Sequence, residues 1–241
     1  MLIWLVLIPL IAAALIGLCK APARPTALLS ASLTLALGIW ALVSFDGCSS
    51  CWSRFEGMDL QLTLAPALSK VMLLLTILVT FATVLGTNPP QGGEASWYNS
   101  ALLISAGATG AFLSDNIISF FAFHELALIP TFVMIGLYGR GDRRTTAWRA
   151  TLYLGLASMV LLAALLMIGT QAGFTFSGLK DFMASGRELA HAELIGALLI
   201  AGFGTLISLF PFHSWAAPAY ASAPAPVAMM HAGVLKKFGL Y

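Results

Sequence analysis

The sequence predicts an all-α membrane protein, a polytopic bundle of helices that crosses the bilayer several times. Of its 241 residues, 59% are hydrophobic and 9% are charged, whereas soluble domains carry about 25% charged residues. Apolar runs recur at lengths close to the roughly 20 residues that a helix needs to cross a hydrocarbon core of about 30 Å. The net charge of +2, without a basic run that contains interleaved aromatic residues, argues against nucleic-acid binding.

Clusters of polar, proline and glycine residues divide the chain into seven complete spans and one incomplete span. The spans lie at 2–18, 26–45, 67–86, 99–114, 117–138, 149–170, 193–217 and from 226 onward. The first run has neither a preceding basic region nor a small-residue cleavage site, so we interpret it as a retained helix. The last run reaches Tyr241 before it attains the length of a span, which predicts that helix eight is truncated and the sequence is a fragment.

The basic residues of the short connections predict the orientation in the membrane. With the N-terminus outside, the inside connections hold six basic residues and the outside connections three: Lys20, Arg24, Arg140, Arg143, Arg144 and Arg149 against Arg54, Lys180 and Arg187. An excess of lysine and arginine marks the cytoplasmic side, so we expect the N-terminus outside. Cys48 and Cys51 then lie on the oxidising side, where the sequence leaves open whether they form a disulfide.

The seventh span contains the features of a broken helix. Its apolar run leads into Pro211, His213 and Trp215, and Pro218 and Pro224 follow closely. Each proline lacks an N–H and clashes with the carbonyl group one turn earlier, so a continuous helix is not expected. Non-helical backbone at membrane depth requires a protein-lined or hydrated cavity, and broken helices recur at the ion sites of transporters.

Glu125 is the ionisable residue nearest to the middle of a predicted span. It lies about eight residues, or roughly 12 Å, inside span five, and Pro130 leaves the carbonyl group of Leu126 without its helical donor. A charge at mid-bilayer costs at least about 2.5–3.5 kcal/mol. Glu125 is therefore either a proton-pathway carboxylate or a glutamate paired with a neighbouring helix. His124, about 100° further round the helix, is not expected to share its face.

Span eight carries three ionisable residues, His231, Lys236 and Lys237. In a continuous α-helix these side chains point in different directions, so a proton relay through them needs water or another helix. Imidazole and desolvated lysine are both suited to proton transfer, although one lysine could instead end the helix or extend to the membrane surface. Asp115 and Asn116 lie between spans four and five, where turn and cap chemistry explains them.

Three stretches resemble the subunit M family of NADH-quinone oxidoreductase (complex I). The first, 123–130 with 138–140, reads FHELALIP and YGR; the other two, 211–227 and 231–241, read PFHSWAAPAYASAPAPV and HAGVLKKFGLY. The resemblance implies an antiporter-like inverted-repeat fold with a broken seventh helix. Residues 1–98 would hold helices one to three, and 99–241 helices four to eight of the first repeat, with the second repeat missing from this sequence.

The same resemblance implies roles for individual residues. Glu125 matches the glutamate of helix five that pairs with a lysine of helix seven, Lys237 matches the lysine of helix eight, and His231 matches a histidine of related subunits. Leu206 stands where the helix-seven lysine is expected.

The sequence leaves open how the missing cation is replaced. Either Lys236 or Lys237 supplies it, or a hydrated path near His213 does, or this half-channel works differently or not at all.

The implied function is proton translocation coupled to NADH oxidation and quinone reduction in partner subunits. We find no glycine-rich phosphate loop, iron–sulfur cysteine pattern or flavin fingerprint, so no redox site and no cofactor are expected on this chain. The expected partners are the L-like and N-like antiporter subunits, in a bacterial-type plasma membrane. A subunit of a multisubunit cation/proton antiporter and a non-transporting structural subunit are the alternatives, and the transported ion, proton or sodium, stays open.

Overall fold

The computed structural model describes residues 2–44, 49–55, 58–64, 66–90 and 92–241, with side chains described for these residues except 49–60. The Cys48–Cys51 disulfide considered from the sequence therefore lies outside the described residues.

The described chain is a bundle of α-helices, which confirms the predicted fold class. The helices are α1 (Leu2–Gly17), α2 (Ala23–Ser44), α3 (Ala67–Gly86), α4 (Glu94–Leu113), α5 (Ile117–Tyr138), α6 (Arg143–Ala172), α7 (Phe176–Ala184), α8 (Ala192–Ile207), α9 (Ala216–Ser222) and α10 (Ala225–Gly233), followed by a 3₁₀ helix (Leu235–Gly239). Among the described residues, α2, α3, α5 and α6 are long and apolar enough to cross a membrane, and α1 and α8 are apolar but shorter. Their outer faces expose large apolar side chains such as Val43, Ile129 and Leu156, as expected of surfaces that contact lipid.

The central helix of the bundle is α4, which contacts α1, α2, α3 and α5. Nearly all of its residues from Ser100 onward are buried. Gly107 explains how α5 approaches so closely, because a Cβ at this position would lie 2.6 Å from the main-chain oxygen of Phe123 and from the main-chain nitrogen of Ala127. Small residues of this kind let membrane helices pack with their backbones in contact. The packing fixes the depth and rotation of the α5 segment that carries Glu125.

The start of α5 is fixed by the two polar residues that the sequence assigned to turn and cap chemistry. The Asn116 side chain accepts hydrogen bonds from the main-chain N–H groups of Ile118 and Ser119, at 2.9 and 3.1 Å. Asp115 accepts from both the main-chain N–H and the hydroxyl of Ser177 at the start of α7. The cap prediction for Asn116 is confirmed, and Asp115 has the additional task of holding α7 against the bundle.

The connection between α2 and α3 contains a β-hairpin that the sequence analysis did not predict. Strands β1 (Ser49–Phe55) and β2 (Met58–Thr63) pair antiparallel, with an irregularity in register between Cys51 and Arg54. The end of β2 reaches the α4–α5 connection, where the main-chain N–H of Asp115 donates to the carbonyl group of Gln61. The hairpin therefore braces the connection that precedes α5.

The seventh span is broken, as predicted, but its predicted extent of 193–217 was wrong. Helix α8 ends at Ile207, because Ser208 adopts a left-handed conformation with φ of 63°, and helical structure resumes only at Ala216. The eighth span also differs from the prediction. Helix α10 ends at Gly233, and a 3₁₀ helix begins after Val234. The side-chain directions deduced for Lys236 and Lys237 from a continuous α-helix therefore do not apply.

Candidate functional site

Glu125 lies at the interface between α5 and α6, with its side chain 27% exposed. Its Oε1 atom accepts a short hydrogen bond from the hydroxyl of Ser158 on α6. The same atom lies 3.1 Å from Nδ1 of His124. The carboxylate is thus held by two polar groups on two helices, which satisfies the requirement that a buried charge be hydrogen-bonded.

His124 contacts Glu125, although the two residues point in different directions from the helix as expected. The glutamate side chain has two methylene groups, and its carboxylate can reach back across the 100° that separates successive residues on a helix. The imidazole is buried and lies among the rings of Phe120, Phe121 and Phe238, with a centroid distance of 5.2 Å to Phe238. Its second nitrogen, Nε2, is also buried and has no hydrogen-bond partner among the described residues.

The α8 position at which the sequence lacks a lysine is part of the apolar core. Leu206 is buried in the largest hydrophobic cluster, together with Leu154, Trp215 and Phe238. The preceding residue, Thr205, donates its hydroxyl to the carbonyl group of Ala201 one turn earlier in the same helix. The described end of α8 thus presents an apolar side chain where the family resemblance led us to expect a cation.

A second polar cluster forms where the two broken spans meet. The hydroxyl of Tyr220 on α9 lies 2.7 Å from Nδ1 of His231 on α10. The ammonium group of Lys236 lies 4.8 Å from the ring centroid of Tyr220 and 5.8 Å from that of Trp215. The Trp215 ring also meets His231 at 5.4 Å. The fold therefore brings His231 and Lys236 to the same two aromatic rings, although the two side chains would point in different directions in a continuous α-helix.

Two of the residues proposed from the sequence lie apart from this cluster. Lys237 is half-buried in the 3₁₀ helix, and its carbonyl group accepts from the main-chain N–H groups of Leu240 and Tyr241. His213 is exposed in the break between α8 and α9, where its ring lies 5.6 Å from that of Phe210. The structure shows neither side chain in contact with Glu125.

The site also contains residues that the sequence analysis did not select. Ser158 gives no signal in the sequence, because serine is common in membrane helices and only the packing of α6 on α5 brings it to Glu125. Tyr220 lay within the quoted motif, and the polar character of a tyrosine between prolines was the available signal. Phe238 links the two clusters, since it contacts His124 and belongs to the same 3₁₀ helix as Lys236.

The carboxyl-terminal half of the chain matches a known protein family. A family model described as NADH:quinone oxidoreductase/Mrp antiporter, transmembrane, matches residues 114–241. An NAD(P)H-quinone oxidoreductase chain 4 of Microcystis aeruginosa is 33% identical over 180 residues, covering 72% of this chain and 32% of that protein. A chain 4 of a Picosynechococcus species is 32% identical over 196 residues, covering 79% and 35%. The chain spans about a third of the length of these curated relatives.

Solved structures share the fold over nearly the whole chain. Respiratory complex I from Thermus thermophilus with bound NADH contains a chain with a TM-score of 0.82 and 25% identity, covering 97% of this chain and 51% of that one. An archaeal membrane-bound sulfane sulfur reductase matches with a TM-score of 0.82 and 25% identity, covering 98% and 39%. The Mrp complex from a Dietzia species shares the fold, with a TM-score of 0.85, 22% identity and coverage of 100% and 27%. The protein is thus a membrane protein of the NADH:quinone oxidoreductase/Mrp antiporter transmembrane family.

Proposed function

We propose that this chain is a proton-translocating membrane subunit of an NADH-quinone oxidoreductase. The observation that carries the proposal is the Glu125 carboxylate, held between α5 and α6 at mid-span by His124 and Ser158. A carboxylate at this depth in the membrane costs free energy, so it is expected to have a hydrogen-bonding partner or a function. In this proposal Glu125 takes up and releases a proton, while partner subunits bind NADH and quinone and this chain carries neither a redox site nor a cofactor.

The second polar cluster supplies a continuation of the proton path. A phenol can donate one proton while it accepts another, so the 2.7 Å contact between Tyr220 and His231 is suited to proton transfer. The ring faces of Tyr220 and Trp215 lie close enough to the Lys236 ammonium for cation–π attraction. Lys237 and His213, which lie outside the cluster, would carry protons towards and away from it.

The proposed setting is a bacterial-type plasma membrane with the N-terminus outside. The six basic residues assigned to the inside connections support this orientation. The proposed partners are other membrane subunits, L-like and N-like, because the matched structures include respiratory complex I and the Mrp complex. In this proposal residues 99–241 form the first of two antiporter-like repeats, and the helices of 1–98 brace it.

The test is a Glu125→Gln substitution in the assembled complex, with proton pumping and NADH-driven quinone reduction measured in the same vesicles. Glutamine keeps the size and hydrogen-bonding capacity of the side chain but cannot ionise, so we expect pumping to fall while the complex still assembles. Glu193→Gln is the matched control, since Glu193 is exposed in the first turn of α8. Normal pumping by Glu125→Gln would refute the proposal.

A second candidate is a subunit of a multisubunit cation/proton antiporter. The family description includes the Mrp antiporter, and the Mrp complex shares the fold over the whole chain. Sodium-dependent transport without NADH oxidation would favour this function over the first. A non-transporting structural subunit is favoured only by the apolar Leu206, and pumping that depends on Glu125 would exclude it.

A further inference from the structure

We propose that His124 is the proton-carrying partner of Glu125, so that the two residues form one titrating pair on a single helix. The inference rests on the proposed function, because it assigns a second group to the same proton path. It differs from the sequence-based expectation, in which the cation comes from helix seven or helix eight.

The hydrogen bonds around the carboxylate give the direction of donation. Both Nδ1 of His124 and the hydroxyl of Ser158 approach Oε1 of Glu125. An ionised carboxylate only accepts, so Nδ1 must carry a hydrogen when Glu125 is charged. A proton on Nδ1 is therefore already placed on the line along which it would transfer, and Ser158 fixes the acceptor oxygen.

Charge balance favours a histidine in this place. An imidazolium beside a carboxylate has no net charge, and transfer of the proton from Nδ1 to Oε1 leaves a neutral imidazole and a neutral carboxylic acid. Both states avoid an isolated charge in the membrane, which is the costly arrangement. The proton can therefore move within the pair without changing the charge of this part of the bundle. Release of the proton to water leaves a neutral imidazole and a carboxylate with one negative charge, which Nδ1 and Ser158 stabilise by hydrogen bonds.

The surroundings of the imidazole provide a route to its second nitrogen. A cavity of about 390 Å³ lies between the helices, and its walls include Phe120 and Phe238, the two rings that also contact His124. Ser114 and Asp115 are among the polar residues that line this cavity. Two aromatic rings thus border both the cavity and a buried imidazole whose Nε2 has no partner among the described residues. Rotation of these rings would let water reach Nε2.

At position 206, helix α8 carries an apolar residue and not a cation that could replace His124 as the partner of Glu125. Gly202 packs against Ala157 and Leu161 of α6, on either side of Ser158 in the sequence. Leu206 follows one helical turn later on the same face and is buried. A lysine at 206 would therefore extend its flexible stem from α8 towards α6, the helix whose Ser158 contacts Glu125. This geometry provides a test by rescue.

The test compares His124→Gln with the double variant His124→Gln/Leu206→Lys in the assembled complex. Glutamine can still donate to Glu125 but cannot carry a proton, so we expect pumping to fall about tenfold or more while the complex assembles. The lysine at 206 restores a titratable cation beside Glu125, and we expect pumping well above that of the single variant. Normal pumping by His124→Gln, or a double variant as inactive as the single one, would overturn the proposal.

Infrared difference spectra of the wild-type complex during turnover provide an independent readout that does not require any His124 variant to assemble. With isotope-labelled histidine, we expect an imidazole band that changes together with the Glu125 carbonyl band, which Glu125→Gln identifies by its loss. A Glu125 band without an imidazole counterpart would overturn the role of His124 and leave the proposed function intact. Unchanged pumping by Glu125→Gln would instead refute the proposed function itself.

Discussion

The indole nitrogen of Trp215 donates a 2.9 Å hydrogen bond to the main-chain carbonyl group of Thr205. The two residues lie on opposite sides of the break in the seventh span, so one side chain after the break satisfies a carbonyl group in the last turn of α8. The carbonyl groups at a helix end have no partner within the helix. In a membrane such groups must find one inside the protein. The Thr205 carbonyl group accepts from the main-chain N–H of Ser208 and also from the indole of Trp215, whose ring faces Lys236 and His231.

Replacing Trp215 with phenylalanine should destabilise the broken helix. The change removes the indole N–H and leaves the Thr205 carbonyl group with the main-chain N–H of Ser208 as its donor, a loss of about 0.5–1.5 kcal/mol. We expect this chain to unfold at a lower midpoint temperature when the detergent-extracted complex is heated. Unfolding is measured as the loss of the chain's resistance to protease. Trp148→Phe is the control, because Trp148 is 67% exposed and should leave the midpoint unchanged. Equal midpoints for the two variants would contradict the bracing role of Trp215.

Replacing Tyr220 with phenylalanine should impair pumping without affecting assembly. The variant keeps the ring that faces Lys236 but removes the hydroxyl that contacts His231. If the hydroxyl carries protons, pumping in vesicles falls about tenfold or more, while the amount of assembled complex stays the same. Tyr153→Phe is a suitable control, since its hydroxyl contacts the exposed Ser214 instead. A Tyr220→Phe complex that pumps at the wild-type rate would remove the phenol from the proton path.

Replacing Ser158 with alanine should leave the Glu125 carboxylate less firmly held in its position. The hydrogen bond from Ser158 joins α6 to α5, and a hydrogen bond to a charged group contributes about 1.5–3 kcal/mol. We expect slower pumping and a shift of the Glu125 carbonyl band in infrared spectra. Thr151→Ala on the same helix is the comparison, because the Thr151 hydroxyl donates to the carbonyl group of Ala147 in its own helix. An unshifted band in Ser158→Ala would show that this contact does not hold the carboxylate.

Replacing Gly107 with alanine should separate α4 from α5. The added Cβ would lie 2.6 Å from two main-chain atoms of α5, and backbone cannot move aside as a flexible side chain can. Overpacking of this kind costs about 1–3 kcal/mol, so we expect reduced thermal stability of the complex and less of this chain in membranes. Gly155→Ala, where no atom lies within 4 Å of the new Cβ, should be tolerated. Equal stability of both variants would show that α5 is not fixed by this contact.

The fold class and the positions of the spans could be predicted because they depend on local composition. A long apolar run in a membrane has no stable alternative to a helix. Helices α3 and α5 therefore begin and end where the sequence predicts. Prolines disrupt the helix within their own turn, so a break near Pro211 was also predictable, although α8 ends earlier, at Ile207. Where the interruption depends on packing, as at Val234, hydropathy gave no signal and the predicted continuous helix was wrong.

The candidate site was only partly predictable for the same reason. Glu125, His231 and Lys236 stood out because an ionisable residue in an apolar run is rare and costly. Their partners were not predictable, because contacts between helices depend on rotation and depth, which hydropathy does not encode. Tyr220 reaches His231 across the extended connection at Ala223 and Pro224 between α9 and α10. His124 contacts Glu125 because the flexible carboxylate reaches round the helix, which backbone directions alone do not indicate.

The sequence by itself determined that this chain is a membrane helix bundle of the antiporter-like family, with a carboxylate in helix five, a broken helix seven and an apolar residue at 206. Those properties follow from side-chain chemistry and from the backbone limits of proline. Only the tertiary structure decided that Ser158 and His124 hold Glu125, and that Lys236 rests on Tyr220 and Trp215. Such pairings arise when close-packed helices bring distant residues together, and packing depends on every neighbour at once.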